Sequence, residues 1–293
     1  MSIAMPPPHD IPVTAAPITV LKPVGPTAPL VFDSPHSGRT YPAAFHFSCP
    51  RPVLERAEDR FLDKLLDWAP THGIPLLLAN FPRTYIDVNR ALTDIDETML
   101  DGPWPGAVPT DLSRAGIGLI RRLLTPTLPV YNAPLSVQAV RDRITDCYLP
   151  YYAALETALN TCQQQHGCTL HINWHSMPSR FGGTKRMPDF VLGSRHGTTC
   201  TEAMMAAAQG ALSDMGYSVQ LNDPYPGQEI IARTGHPAQG RFALQIEINK
   251  ALYLDEGRNK LHSGHIKLIA DLKHLTAPLH DTMRDMSVPL AAD

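Results

Sequence analysis

Hydrophobic and polar residues alternate over residues 169–175, where Leu170, Ile172 and Trp174 interleave with His171, Asn173 and His175. That is the period of a β-strand. Ser176-Met177-Pro178-Ser179 reads as the turn that follows, since proline offers no backbone donor. Residues 29–33 form a second short strand pattern, broken at Ser34-Pro35-His36-Ser37-Gly38. Residues 74–81 are a continuous apolar run, the look of a strand buried on both faces. Phe190–Gly193, 217–221 and 242–249 read as further strands. Between them lie helical periods. Leu54, Ala57, Phe61, Leu62, Leu65 and Leu66 recur at helical spacing over 52–69, and Gly73 ends that stretch. Residues 136–166 are a long helical stretch that Pro150 should kink or split. An alanine-rich helix spans 198–215, and 260–286 supplies the last helix or helices. Strands alternating with helices predict an α/β fold with a mainly parallel sheet and helices on both faces.

With 293 residues the chain is one large domain or two small ones. No internal repeat divides it. The simplest organisation is a proline-rich arm over 1–28, extended or forming an edge strand around 18–21, followed by a single α/β domain over 29–293. Twenty-nine prolines, about twice the usual share, fix the geometry of many loops. Residues 93–118, rich in Pro, Gly and Asp, read as a long loop near the site, because loops of that length usually serve a function or are disordered. A net charge of −3 without a basic tract argues against a nucleic-acid partner, and no apolar run is long enough to span a membrane. Cys49, Cys147, Cys162, Cys168 and Cys200 are odd in number and lack CxxC spacing, against a disulfide framework or a cysteine zinc site. The N-terminal MSIAMPPPHDIPV has neither a basic n-region nor a long apolar run, unlike a signal peptide. The expectation is a soluble protein of the reducing cytoplasm.

In an open α/β sheet, ligands bind beyond the carboxyl ends of strands. His36 and His175 each follow a predicted strand and precede a Pro/Ser/Gly turn. A lone histidine is more often a surface or core residue, but two in matching positions on one sheet edge suit a zinc site, which needs about three protein ligands and an open position. A third ligand has to be a carboxylate or another histidine. Glu58 falls within the apolar stripe of the 52–69 helix and Asp59 at its edge, and a carboxylate on a buried face must be paired or bind a metal. One of the two is therefore the candidate, with periodicity favouring Glu58. In 243–249, Gln245, Glu247 and Asn249 share one strand face while Leu244, Ile246 and Ile248 share the other. A carboxylate at the carboxyl end of a covered strand suits general acid–base work. Arg83, Asn89 and Arg90 follow the apolar strand, and arginine forks match carboxylates and oxyanions. Arg121, Arg122, Arg186, Arg195 and Arg241 lie scattered in loops and offer further anion contacts.

SPHSG at 34–38, ED-x-x-LD-x-L at 58–65, R-x-YIDVNR at 83–90, HSMPS at 175–179, FVLGSRHG at 190–197, N-x-PYPG at 222–227 and LQIEINKALYLDE at 244–256 occur in this order. Together they resemble the N-formylglutamate amidohydrolase family over about residues 30–256. That family is similar in fold to the zinc carboxypeptidases and aspartoacylase-like deacylases. The resemblance implies a phosphorylase/hydrolase-like α/β core, a mixed, mostly parallel sheet sandwiched between helices. It also implies one Zn(2+) held by His36, Asp59 and His175, and so takes Asp59 where the helical wheel takes Glu58. By the same resemblance Glu247 is the general base, Arg83 polarises the scissile carbonyl, and Asn89 with Arg90, joined by Arg195, binds the substrate. The implied activity is hydrolysis of N-formyl-L-glutamate, a small N-acyl amino acid, to formate and glutamate at the end of histidine breakdown.

Three positions depart from the patterns. Arg39 stands where carboxypeptidases have an acid three residues after the first histidine. Asn173 stands where family members often carry Asp, and Gln228 replaces a usual glycine. Other readings are a zinc deacylase of another N-acyl amino acid or a zinc exopeptidase, a metal-free serine hydrolase using Ser176 or Ser37, and a non-catalytic dicarboxylate-binding protein. No GxSxG elbow supports the serine hydrolase.

Overall fold

The computed structural model describes residues 16–182 and 184–286. Within them the two longest strands are built from side chains that alternate between two buried faces. The sheet strands are β1 (Ile18–Leu21), β2 (Leu30–Ser34), β3 (Leu76–Ala79), β4 (Thr169–Met177), β5 (Phe190–Gly193), β6 (Val219–Leu221) and β7 (Arg241–Asn249). They pair in the order β1-β3-β2-β4-β7-β5-β6. β3, β2, β4 and β7 run parallel. β1 closes one edge antiparallel to β3, and β5 turns antiparallel to β7 with β6 parallel beside it. Residues 1–15 of the expected arm and 287–293 lie outside the described residues, while 18–21 form the edge strand.

Five longer helical segments cover the sheet: α1 (Val137–Arg143), α2 (Leu149–His166), α3 (Glu202–Asp214), α4 (Glu229–Thr234) and α5 (Gly264–Met286). On one face, Leu170, Ile172 and Trp174 of β4 join Leu244, Ile246 and Ile248 of β7 in a core with Leu212 of α3 and Leu272 of α5. The opposite face is covered by α2 and α4. There Val31 and Leu77 pack with Leu155 and Leu159, but β4 presents His171, Asn173 and His175 and β7 presents Gln245 and Glu247, all buried. The α/β fold, the mostly parallel sheet and the helices on both faces agree with the sequence. All five cysteines are free. Among the described residues no helix is long and apolar enough to cross a membrane.

Several boundaries differ, for physical reasons. The expected helix over 52–69 is broken into Arg51–Leu54, a 3₁₀ turn Glu55–Ala57, and Leu62–Leu65. Glu58 is extended (φ −83°, ψ 155°) and Phe61 lies in the left-handed region (φ 68°). The break lets the backbone N–H of Asp59 donate to the carbonyl of His36 at 3.0 Å. β4 continues through Ser176 and Met177, which stay in register with Ile248 and Asn249, so the turn begins at Pro178. The long helical stretch is divided just before Pro150, which sits in the first turn of α2. Ile144–Tyr148 widens into a π-helical turn in which Leu149 N–H reaches the Ile144 carbonyl, absorbing the missing proline donor. The last helix starts at Gly264, because Lys260–Leu261 pairs with Leu254–Asp255. The 93–118 segment contains a turn at Glu97–Met99 and a short helix Asp111–Arg114.

The turn carrying His36 is pressed onto the end of β3. Thr40 N–H donates to the Asn80 carbonyl at 2.8 Å, and a Cβ added at Gly38 would lie 2.3 Å from the carbonyl oxygen of Phe81. The three nearest atoms are all backbone, so Gly38→Ala must push the turn and strand apart. Overpacking of this kind costs about 1–3 kcal/mol, and a thermal midpoint lower by roughly 2–10 °C is expected. An unchanged midpoint would show that the turn is not pinned there.

Candidate active site

Three buried side chains from separate parts of the chain converge beside the carboxyl end of β4. His36 comes from the turn after β2, Asp59 from the break in the 51–65 segment, and His175 from β4. Asp59 Oδ2 lies 3.5 Å from His36 Nδ1 and 3.2 Å from His175 Nδ1. The three nearest ligand-type atoms all lie within 4.8 Å of one another. Zinc–ligand bonds of about 2.0–2.1 Å in a tetrahedron place ligand atoms roughly 3.4 Å apart, so the spacing suits a small divalent ion.

Hydrogen positions inferred from the network agree. His36 Nε2 lies 2.8 Å from Asp87 Oδ1. Burial works against the Asp87 charge, but Arg83 and His36 hold its carboxyl well below the usual range. Asp87 therefore accepts, and His36 carries its hydrogen on Nε2. His175 Nε2 lies 2.8 Å from Asn173 Oδ1, which also accepts. Both Nδ1 lone pairs then face the Asp59 carboxylate, and His36 Nδ1 is buried with no hydrogen-bond partner. Three electron-pair donors aimed at one point repel each other unless a cation lies among them. Outer groups that hold the second ring nitrogen are the usual support of a histidine ligand.

Glu247 stands opposite His175 in the parallel register of β7 and β4, and its Oε1 accepts from Gln245 Nε2 at 3.0 Å. Burial pushes its carboxyl up to about 7, with Asp59 adding to the rise and His175, Arg83 and Lys250 opposing it. Such a group can take up and release a proton near neutrality. Arg83 donates from Nε and Nη2 to Asp87 Oδ2 at 3.2 and 2.8 Å. The same carboxylate thus orients His36 and fixes the arginine. Asn89 Oδ1 accepts from Ile230 N–H at 2.9 Å, and its Nδ2 is 3.2 Å from His175 Nε2. Arg90 is buried, with Nε unpaired.

Asp59 rather than Glu58 faces the imidazoles. Glu58 turns away to accept from the Tyr41 hydroxyl, while its backbone carbonyl accepts from Lys250 Nζ at 2.6 Å. Burial pushes its carboxyl up to about 7. Arg39 also points elsewhere, pairing with Asp63 at 2.5 Å. Arg195 is not brought into the buried cluster. It is exposed in the turn after Gly193, and its backbone N–H donates to the Pro226 carbonyl at 2.6 Å.

Four further residues belong to the surroundings. Asp87 went unmarked in the sequence although Arg83 and Asp87 have the i,i+4 spacing of an ion pair. Asp33 lies on the same polar sheet face. Tyr225, in the turn before α4, has its hydroxyl pushed up to about 12 by burial and then by Glu247. Arg121 follows Leu119, whose carbonyl accepts from Asp87 N–H at 2.9 Å. Burial first, then the facing charges of Arg83 and Arg90, push its guanidinium down to about 9. Arg83, Arg90 and Arg121 thus lie near one another, with Asp87, Asp59 and Asp94 as the carboxylates facing them, and guanidiniums grouped in this way can receive an anion.

Comparison with known proteins gives a consistent assignment. The family model described as N-formylglutamate amidohydrolase matches residues 28–254. Among curated proteins, the N-formylglutamate deformylase of Pseudomonas putida is 27% identical over 234 residues, covering 78% of this chain and 82% of its own length. The enzyme of the same name from Pseudomonas aeruginosa is 28% identical over 237 residues, covering 78% and 83%. The crystal structure of an N-formylglutamate amidohydrolase from Ralstonia eutropha JMP134 superposes with a TM-score of 0.89 at 41% identity, over 93% of this chain and 100% of that one.

The raised Glu247 carboxyl has a measurable consequence in the metal-free protein. Below about pH 4.5 it is protonated in both folded and unfolded chains and has no effect on the balance. Between 4.5, its ordinary value, and about 7 the unfolded chain loses the proton first, so stability falls as pH rises. Glu247→Gln removes that loss. Its denaturation midpoint should gain on the wild type between roughly pH 5 and 8. A difference that stays constant across this window would mean the carboxyl is not raised.

Proposed function

Because the chain belongs to the N-formylglutamate amidohydrolase family, we propose that it hydrolyses N-formyl-L-glutamate to formate and L-glutamate. The observation that carries this reading is the buried His36–Asp59–His175 cluster with Glu247 beside it in strand register. His36, Asp59 and His175 would hold a zinc ion, which would supply Lewis-acid polarisation and lower the pKa of water to about 7. Glu247 removes a proton from the water that adds to the formyl carbon. It returns that proton to the amide nitrogen as the C–N bond breaks, leaving formate and the free amine. A carboxyl near 7 suits both directions of transfer.

Arg83, held at two nitrogens by Asp87, stabilises the negative oxygen that develops on the formyl group. Arg90 and Arg121 receive the carboxylates of the substrate, which carries two. Asn89 ties the start of α4 to this pocket through Ile230 and so shapes its wall. Arg195 would contribute only by an exposed contact at the rim. The products suit the last step of histidine breakdown in the cytoplasm.

The test is formate release from N-formyl-L-glutamate, with metal analysis of the same preparation. Zinc near one equivalent and activity abolished by His175→Ala are expected. Glu247→Gln should lower kcat by about 10²–10⁴, and Arg83→Met by about 10²–10³. Arg90→Met and Arg121→Met should mainly raise KM, and N-formyl-L-glutamine should be a poorer substrate. Faster turnover of N-acetyl-L-glutamate or of a dipeptide would replace this reading with a deacylase or an exopeptidase. Full activity in Glu247→Gln would remove the assigned base.

A further inference from the structure

His175 Nε2 is caught between two asparagines with opposite demands. Asn173 Oδ1, at 2.8 Å, requires a hydrogen on Nε2. Asn89 Nδ2, at 3.2 Å, would donate to a bare Nε2 and so require the hydrogen on Nδ1. Only the first tautomer leaves the Nδ1 lone pair facing Asp59 and His36. The Asn89 amide cannot turn round without loss, because its oxygen already accepts from Ile230 N–H at 2.9 Å. The ring tautomer therefore depends on which way Asn173 points.

Asp33 decides that. It is fully buried on β2, in register with Asn173 of β4. Its Oδ1 lies 2.8 Å from Asn173 Nδ2 and 3.0 Å from His171 Nε2, and its Oδ2 accepts from the Tyr151 hydroxyl. A carboxylate only accepts, so Asn173 must turn its NH₂ toward Asp33 and its oxygen toward His175. Burial opposes the charge on Asp33, but His171, the Tyr151 hydroxyl and the Asn173 amide hold its carboxyl below the ordinary range. We infer that Asp33 is a positioning residue that, through the Asn173 amide, fixes the His175 tautomer and aims Nδ1 at the ion site. The inference rests on the metal-site reading above and assigns a role to residues that touch neither ion nor substrate.

Zinc affinity measured by chelator competition tests it, with formate release scored separately. In Asp33→Asn the new amide can donate to Asn173, which can then turn over and present its own NH₂ to His175. Zinc affinity should fall by about 10–100-fold, the usual effect of losing such an outer partner. The exchange Asp33→Asn/Asn173→Asp puts the acceptor back beside His175 and should restore affinity close to wild type. Tyr151→Phe removes a bond to the same carboxylate without touching Asn173. It should lower the thermal midpoint and leave zinc affinity unchanged. Wild-type affinity in Asp33→Asn overturns the inference, as does equal loss of affinity in Tyr151→Phe and Asp33→Asn. If Asp33→Asn does not fold, Asn173→Leu must show the loss instead. Tight zinc binding in the wild type without formate release would sink the proposed reaction and leave the inference standing.

Discussion

A row of polar side chains shut between a sheet and its covering helices sets the terms for the rest of this molecule. His171, Asn173 and His175 of β4 and Gln245 and Glu247 of β7 are buried on the sheet face that α2 and α4 cover. A buried polar group without a partner costs about 1–3 kcal/mol, so each must be answered by something nearby. The answers come from every direction: Asp33 from β2, Tyr151 from α2, and Thr234 from α4, whose hydroxyl lies 2.9 Å from His171 Nδ1. Thr234 in turn donates to the Ile230 carbonyl at 3.0 Å, and Ile230 N–H holds Asn89. The apolar opposite face needs only volume and burial, and its partners are ordinary leucines, isoleucines and aromatics. One face stabilises the fold while the other constrains side-chain direction.

That division shapes the electrostatics. Asp33, Asp59 and Asp87 all stay ionised despite burial, because each faces a histidine or arginine. Glu247 has weaker compensation, and burial prevails. Two kinds of carboxyl thus coexist within one cluster, one fixed in charge and one near neutrality, which is the separation acid–base chemistry uses. Arg83 is matched by Asp87, while Arg90 and Arg121 have no acidic partner of their own within ion-pair distance among the described residues. Arg90 is buried and Arg121 half-buried, and a substrate bearing two carboxylates would give each the direct partner it lacks.

Much of this was legible in the chain itself. Strict alternation in β4 and β7 marks both faces and places His175 on the polar one, two residues inside the end of β4, while a strand–turn junction marks His36. What the periodicity misread was the segment from 52 to 69. Its apolar spacing is helical, and a wheel places Glu58 inward. The wheel presumes a continuous helix, however, and the backbone breaks at Glu58 so that Asp59 can hydrogen-bond to His36. A tertiary contact between Asp59 and the His36 turn overrode local propensity, and no single-sequence pattern carries that information. Asp87 was hidden for a related reason. Its partners are Arg83, four residues away, and His36, fifty-one residues away. Arg195 shows a different case: it is exposed, and its backbone N–H donates to the Pro226 carbonyl at 2.6 Å, in the turn that carries Tyr225.

Asn173 brings these strands together. Relatives by resemblance often have Asp at this position, and a carboxylate directly behind a histidine ligand is a familiar support. In this chain a second carboxylate there would lie within hydrogen-bonding distance of Asp33, since the present contact is 2.8 Å. Two buried carboxylates that close cannot both ionise, so one would need a proton or a new cation. An amide avoids the conflict. It donates to the charge at Asp33 and accepts from His175, relaying the orientation of one to the other without adding charge. The departure at 173 is therefore compatible with the proposed ligand set, because Asp33 supplies, one residue further out, the anion that the amide lacks.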